Sequence, residues 1–167
     1  IKSGEQIVSL QTVEYSDKLA EKIRRYYKIV NDVDIKRIKE FSDKAIAGLM
    51  QTKELKDVFF EKRTVSNLDL GQLRQKQNAL HQFKIDIETR KMEIRDRYDL
   101  PTPPILVLHL RSGYYLIDGH TRTYAAVKMG KASLPAIVID LEPQDIFDDL
   151  LKRARDAGRW DFYQALL

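Results

Sequence analysis

Three residues in one short polar stretch, Asp118, His120 and Arg122, are of types that could carry out phosphoryl transfer or bind an anion. A carboxylate binds Mg2+ or orients a hydroxyl group, an imidazole titrates near neutral pH, and a guanidinium offers a fixed fork of donors that matches phosphate oxygens. Gly119 and Thr121 separate them, so five consecutive residues carry an acid, a titratable base and a cation. We therefore take residues 118–122 as the candidate site.

The residues around this stretch predict a strand, a polar loop and a short helix. An apolar run at 115–117 follows the turn residue Gly113, and Asp118-Gly119 breaks it. Thr121 is the expected N-cap of the helix, and Gly130 suits a left-handed residue just past its end. Free N–H groups at the start of such a helix attract anions. The sequence thus predicts an anion site between a strand and a helix.

Further strands are predicted on both sides of this unit. Pro101, Pro103 and Pro104 end any preceding helix, and residues 105–110 have the composition of a strand. This strand would pair through residues 111–113 with the strand at 114–117, and residues 136–141 would form another. Pro143 then begins a polar C-terminal helix with the apolar stripe Ile146, Phe147, Leu150 and Leu151. Trp160, Phe162 and Tyr163 near the terminus are expected to pack in a core or an interface.

The N-terminal part is predicted to be helical. Residues 16–30 form an amphipathic pattern after the cap Ser16, and a second helix starts at Asp32 or Asp34. The short connection 31–33 predicts an antiparallel hairpin of two helices. A third helical piece would contain Leu55, Val58 and Phe59, although residues 59–66 also suit an extended strand.

Residues 69–98 have an ambiguous pattern. Apolar residues recur about every seven positions, which predicts a long helix or a helix pair. Residues 83–87 also alternate between apolar and charged, which is typical of a strand. We favour the helix because opposite charges lie four residues apart, as between Lys84 and Glu88.

Composition excludes several classes of function. The chain has 167 residues and no cysteine, so disulfides, thiolate nucleophiles and zinc–thiolate sites are excluded. No apolar run is long enough to span a bilayer, and we expect a soluble, cytoplasmic protein. Lys and Arg number 29 against 25 Asp and Glu. The basic cluster with Arg24, Arg25 and Lys28 is therefore either a solvated helix face or a nucleic-acid surface.

In this order, the predicted elements resemble the ParB/sulfiredoxin superfamily. The resemblance rests on the strand that starts at Pro104-Ile105, the hairpin turn at Gly113, and the Gly-x-x-Arg loop that ends at Arg122. An Ala-Ala helix at 125–126 and the strand Leu134-Pro135-Ala136-Ile137-Val138 follow. It implies an α+β fold: a small mixed sheet with short helices, preceded by a helical N-terminal extension at 1–58. The domain would span 59–167, with a long helical insert at about 69–98 and a C-terminal helix.

The resemblance also implies a site and a cofactor. Members include ParB proteins that bind and hydrolyse CTP, sulfiredoxins that use ATP, free-serine kinases, and plasmid-encoded relatives with ATPase and nuclease activity. Gly119, His120, Thr121 and Arg122 would form the nucleotide-phosphate loop for ATP, ADP or CTP. Asp118 would hold Mg2+ through the nucleotide, and Asp118, His120 and Arg122 would be the catalytic residues.

Departures from the family patterns narrow the activity. The sulfiredoxin loop reads Gly-Cys-His-Arg, and His120 stands where the catalytic cysteine would lie, so we exclude sulfinic acid reduction. The ParB loop reads Gly-Glu-Arg-Arg, and His120 and Thr121 replace its Glu and first Arg. The sequence ends 45 residues after Arg122, and we expect no ParB clamp. The Asp-Gly-His-x-Arg form looks more like the kinase-type and uncharacterised members.

Three functions stay open at this point. The first is a nucleotide-using enzyme, an NTPase or phosphotransferase, for which Glu61 or Asp69 would supply a second carboxylate if that segment folds over the loop. The second is a DNA-associated module or nuclease of plasmid, phage or defence origin, in which Arg24, Arg25 and Lys28 contact the DNA backbone. The third is a degenerate interaction protein. Expected partners are a nucleotide, DNA in the second case, no membrane, and a second copy bound through the helical half.

Overall fold

The structure is a computed structural model that describes residues 2–51, 55–74 and 79–156. Its elements follow in this order: α1 (Lys2–Met50), β1 (Phe59–Asp69), a 3-10 turn (Leu70–Gln72), β2 (Leu73–Arg74), α2 (Gln82–Tyr98), β3 (Ile105–Leu110), β4 (Gly113–Asp118), α3 (His120–Lys128), β5 (Ser133–Glu142) and α4 (Asp145–Asp156).

The five strands form one mixed sheet in the order β1-β5-β3-β4-β2. The pairs β1–β5 and β3–β4 are antiparallel, whereas β3–β5 and β2–β4 are parallel. The hairpin predicted at 105–117 is confirmed, with Leu110 opposite Gly113. The expected α+β class, a small mixed sheet with short helices and a preceding N-terminal helix, is therefore confirmed.

The two edge strands are consecutive in the chain, and this forces the sheet to curl. Only residues 70–72 lie between β1 at one edge and β2 at the other. Four residue steps reach about 14 Å at most. A flat sheet would hold these edges roughly 19 Å apart across its four strand spacings. The sheet therefore bends enough to bring the end of β1 within reach of the start of β2.

Both faces of the sheet are covered, which explains why the central strand β3 is apolar throughout. Leu106, Leu108 and Leu110 belong to a core on the α1 side, together with Ile38, Ala45 and Leu49 of that helix. Ile105 and Val107 point to the opposite face. There they join a core with Met92 of α2 and with Ala125 and Ala126 of α3.

The predicted helical hairpin at the N-terminus is wrong, because α1 runs without a break from Lys2 to Met50. The polar residues at 31–33 were interpreted as a connection. Asn31 is in fact buried, and its side-chain amide donates to the carbonyl of Pro101 and accepts from Arg95 Nε at 2.8 Å. A polar side chain paired with other elements needs no turn around it.

The prediction for residues 55–98 is partly wrong. Phe59 belongs to β1 and not to a third helical piece, so the extended alternative for 59–66 is confirmed. Of the helical insert predicted at about 69–98, the structure contains the helix α2. The helical interpretation of residues 83–89 is confirmed. Residues 70–74 instead form the 3-10 turn and β2, because Asp69 accepts a hydrogen bond from the Gly71 N–H and β2 pairs with β4.

The strand predicted at 136–141 lies within β5, and the C-terminal helix is confirmed as α4. Ile146 packs against the α1-side core. The side chains of Phe147, Leu150 and Leu151, and all of Trp160, Phe162 and Tyr163, lie outside the described part of the chain. Across residues 2–51, 55–74 and 79–156, no helix combines the length and apolar character that a bilayer span requires.

Candidate functional site

The turn between β4 and α3 depends on a glycine for two separate reasons. Gly119 has a φ of +97°, in the left-handed region that L side chains rarely adopt. A Cβ at this position would also lie 2.7 Å from Cγ2 of Ile105 on the neighbouring strand β3. The backbone therefore turns sharply beside β3, and this places Asp118 at the end of β4 next to the start of α3.

Helix α3 begins two residues earlier than predicted. Gly119 is the N-cap, it provides no side-chain cap, and its carbonyl accepts from the Thr123 N–H at 2.8 Å. The expectation that Thr121 caps the helix is therefore wrong, since Thr121 lies inside the first turn. The left-handed stop at Gly130 is confirmed by its φ of +78°.

A cleft of about 410 Å3 lies between this turn and α1. Asp118 and Arg122 line one side of it. The other side is formed by one face of α1, with Asp34, Arg37, Ile38, Glu40, Phe41 and Lys44. Three cations and three carboxylates thus surround the cleft. His120 is half-buried and, with Gly119 and Thr121, lies outside this lining set.

Sequence reasoning missed the contribution of α1 to this cleft. Arg37 belongs to a basic run at 36–39 that looks like an ordinary solvated helix face. Asp34, Arg37, Phe41 and Lys44 recur three or four positions apart, which is the spacing of one helix face. That spacing was a usable signal, but only the packing of α1 on the sheet shows that this face meets residues 118–122.

Arg122 is held in place by backbone and side-chain partners. Its Nη1 donates to the carbonyls of Pro103 and Pro104 at 3.2 and 3.0 Å, and its Nε lies 3.7 Å from Glu88 Oε2. Its side chain is 13% exposed. Arg122 is therefore a fixed cation at the edge of the cleft and also ties α3 to the segment before β3.

Glu88 belongs to a cluster of charges that joins α1, α2 and α3. Lys91 Nζ lies 3.3 Å from Asp34 Oδ2 and 3.9 Å from Glu88 Oε1. Arg95 lies within 3.9 Å of both carboxylates and is only 4% exposed. Burial lowers the pKa of Arg95, and the nearby Arg122 charge lowers it further, whereas Glu88 opposes the shift. We call this group, with Arg122, the charge cluster.

The two residues considered for a second carboxylate lie away from the cleft. Glu61 is exposed on β1, opposite Asp140 of β5. Asp69 ends β1, where its Oδ1 accepts from the Gly71 N–H at 2.9 Å. Neither residue lines the cleft, whereas Asp34 and Glu40 do. Their catalytic role stays a prediction without support from this placement.

A second group of polar residues lies at the far end of the sheet. His109 Nδ1 is 2.9 Å from Asp140 Oδ1, and Arg63 Nε donates to Asp140 Oδ2 at 2.6 Å. The His109 ring stacks on the Tyr114 ring, with the two ring centroids 4.3 Å apart. Nothing near His109 in the sequence singles it out, because its carboxylate partner is 31 residues away and the register of the parallel strands β3 and β5 joins them.

We expect this group to make stability depend on pH. Burial alone would raise the pKa of Asp140, but hydrogen bonds from Arg63 and His109 outweigh it and lower that pKa below its ordinary value of 3.8. The ionised form therefore stabilises the fold above pH 3.8, and this contribution disappears as the pH falls through the lowered pKa. Asp140→Asn should cost about 0.5–1 kcal/mol at pH 7, since the site is partly solvated.

Urea unfolding of both proteins between pH 3 and pH 8 tests this expectation. The two free energies of unfolding should converge at the acidic end. A difference that stays constant down to pH 3 would contradict the assigned role of the carboxylate.

The residues considered for DNA contact lie on the exposed part of α1. Arg24, Arg25 and Lys28 are all exposed. Arg25 Nε lies 3.3 Å from Glu21, so part of this basic surface is neutralised by its own helix. DNA contact through these residues stays a prediction.

The sequence matches no protein-family model and no curated protein. Solved structures do share part of the fold. Sulfiredoxin from Arabidopsis thaliana is 22% identical over 46% of this chain and 83% of its own, with a TM-score of 0.39. Protein Atu1540 from Agrobacterium tumefaciens is 20% identical over 58% of this chain and 49% of its own, with a TM-score of 0.44.

A third similar structure is the C-terminally truncated chromosome-partitioning protein ParB from Caulobacter crescentus, complexed with CTP-γ-S. It is 18% identical over 60% of this chain and 55% of its own, with a TM-score of 0.37. The aligned part of this chain thus spans most of the sulfiredoxin but about half of the other two proteins. These likenesses concern the fold alone, and the Asp-Gly-His-x-Arg variant stays a prediction.

Proposed function

We propose that this protein binds a magnesium nucleotide in the cleft between α1 and the β4–α3 turn, in the cytoplasm, and hydrolyses or transfers its terminal phosphate. The observation that carries the proposal is the charge of the cleft, in which Arg37, Lys44 and Arg122 alternate with Asp34, Glu40 and Asp118. A magnesium nucleotide carries both signs of charge and so suits such a lining. A cleft of about 410 Å3 lies within the usual range for small ligands.

The cations would hold the phosphate oxygens. Arg37 and Lys44 reach the cleft from α1, and Arg122 faces them from α3 with a guanidinium whose orientation is already fixed. A fixed donor loses little freedom when it binds, which favours recognition of a phosphate group.

The carboxylates fit Mg2+ only in combination with a nucleotide. No group of three His, Asp or Glu residues in the described chain lies close enough to form a metal site by itself. Mg2+ usually binds proteins through one or two carboxylates together with substrate phosphates. Asp118 would therefore supply one oxygen to the ion, and the ion would supply charge neutralisation at the transferred phosphate.

The same lining favours Asp118 over His120 as the group that orients the attacking hydroxyl or water. Asp118 lines the cleft directly, whereas His120 lies in the first turn of α3 outside the lining set. A base must come within hydrogen-bond reach of the proton it accepts. In this proposal His120 donates a proton to a bridging oxygen of the nucleotide.

Calorimetric titration with ATP, ADP and CTP, with Mg2+ or with EDTA, tests the proposal. We expect the wild type to bind one of them with a micromolar Kd when Mg2+ is present. Lys44→Ala should weaken this binding about tenfold, which corresponds to about 1.4 kcal/mol. The matched control is Lys39→Ala, which removes an exposed lysine of α1 that does not line the cleft and should leave Kd unchanged.

The variant Asp118→Asn separates binding from chemistry. It should still bind the nucleotide through Arg37, Lys44 and Arg122, with a weaker dependence on Mg2+, but release no phosphate in a turnover assay. If folded wild type binds none of the three nucleotides, or if Lys39→Ala weakens binding as much as Lys44→Ala, the nucleotide proposal is overturned. The nuclease and interaction-protein alternatives would then take its place.

A further inference from the structure

The N-terminal half of α1 carries an exposed apolar stripe. Leu19, Tyr26, Ile29 and Val33 are 43%, 63%, 65% and 46% exposed. Their spacings of seven, three and four residues place them on one face of the helix. We call these four residues the α1 stripe.

An adjoining side of this half-helix has a partner within the described chain. Tyr27 and Val30 line a narrow crevice against Ile94, Arg95 and Leu100. The α1 stripe lies beside that contact around the helix and stays exposed. A helix held along one side, with a row of large apolar residues in water, lacks the second contact that usually stabilises such a face.

The pattern of the stripe repeats with heptad spacing, which suits a second copy of this chain as the occupant. In a heptad, Leu19, Tyr26 and Val33 take position a, and Ile29 takes position d. The other d positions nearby are Lys22 and Lys36. A parallel pair would set Lys22 against Lys22 of the partner and Lys36 against Lys36 of the partner, which places like charges in the seam.

An antiparallel pair removes this repulsion. If Tyr26 packs on the partner's Ile29, then Lys22 lies beside the partner's Val33 and Lys36 beside the partner's Leu19. Most of the flanking charges match, because Arg25 comes beside the partner's Asp32 and Glu21 beside the partner's Lys36, whereas Lys18 comes beside the partner's Lys39. Each contact occurs twice by symmetry, as in any two-fold interface.

We propose that two copies of this protein associate through the α1 stripe as an antiparallel helix pair. The assembly uses the half of α1 that precedes the cleft and does not depend on nucleotide binding. It gives the helix the apolar contact that the fold leaves open.

Light scattering after size exclusion tests the association. The wild type should have twice the 19.5 kDa mass of the chain, and Ile29→Glu should give a monomer at the same concentration. Ile87→Glu is the matched control, since Ile87 is 50% exposed on α2, and this variant should remain a dimer. A wild type that is monomeric at roughly 100 μM overturns the proposal. Loss of the dimer in the control overturns it as well.

Engineered disulfides test whether the two α1 helices run antiparallel. The chain has no cysteine, so each introduced thiol is the only one. In the antiparallel pair, Leu19 of one copy lies 17 residues along the helix from Leu19 of the partner, which is about 25 Å. Leu19→Cys alone and Lys36→Cys alone should therefore form no cross-link, whereas a mixture of the two should form one. Cross-linking of either variant by itself would overturn the antiparallel arrangement.

Discussion

Replacing Glu88 by glutamine should lower the free energy of unfolding by about 2–4 kcal/mol, because it leaves three cations of the charge cluster without a needed counter-charge. Lys91, Arg95 and Arg122 all lie within 3.9 Å of Glu88. Within the charge cluster, Asp34 would then be the remaining carboxylate. The Glu88 side chain is 17% exposed, so water screens the remaining repulsion poorly.

A double variant tests whether the loss of stability comes from the unbalanced charge of the cluster. Glu88→Gln combined with Arg95→Met restores the original net charge of the cluster. We expect it to be about 1–2 kcal/mol more stable than the sum of the two single effects would give. Urea unfolding measures all four proteins.

The matched control is Glu93→Gln on the same helix. The Glu93 side chain is 54% exposed and lies 3.8 Å from Arg90. This change should cost less than about 0.5 kcal/mol. If it costs as much as Glu88→Gln, the effect comes from helix α2 in general and the charge cluster does not explain it.

Gly119→Ala should lower the free energy of unfolding by about 2–4 kcal/mol. The added methyl group meets Ile105 at 2.7 Å, and the residue must also keep a φ of +97°. Strand β3 is fully buried at that point, so it cannot move aside without disturbing both cores. The nucleotide site should weaken in the same variant, because this turn sets the position of Asp118.

Gly130→Ala separates the cost of the positive φ from the cost of the steric contact with Ile105. Gly130 also has a positive φ, +78°, but a Cβ there meets nothing within 4 Å. This control should therefore show only the conformational cost, about 1 kcal/mol. Equal effects of the two substitutions in thermal or urea unfolding would mean that the contact with Ile105 contributes nothing.

The local signals near the candidate site were sufficient to predict its elements. Proline boundaries, the turn at Gly113, and the Asp118-Gly119 break act over a few residues, so they identify β3, β4 and the presence of α3, although they place its start two residues too late. The left-handed role of Gly130 follows from the same kind of short-range rule. Asp118 and Arg122 were predicted together, and both do line the cleft.

The errors arose where distant residues decide the outcome. Asn31 looked like part of a turn because its partners, Arg95 and Pro101, are more than sixty residues away. Arg37 and Lys44 looked like solvated cations because their sequence neighbours give no sign of α3. The pairing of β2 with β4 is also nonlocal. In each case tertiary contacts overrode a plausible local pattern.

The pairing of β1 with β5 has a consequence for synthesis on the ribosome. Phe59 pairs with Glu142, and Asp69 pairs with Ser133, so β1 leaves the exit tunnel long before its partner strand. At about 5–20 residues per second, β1 has no neighbour on that edge for several seconds. During this interval an open strand edge can pair with other chains. Nascent chains stalled before β5 should therefore recruit chaperones, whereas those stalled after it should not.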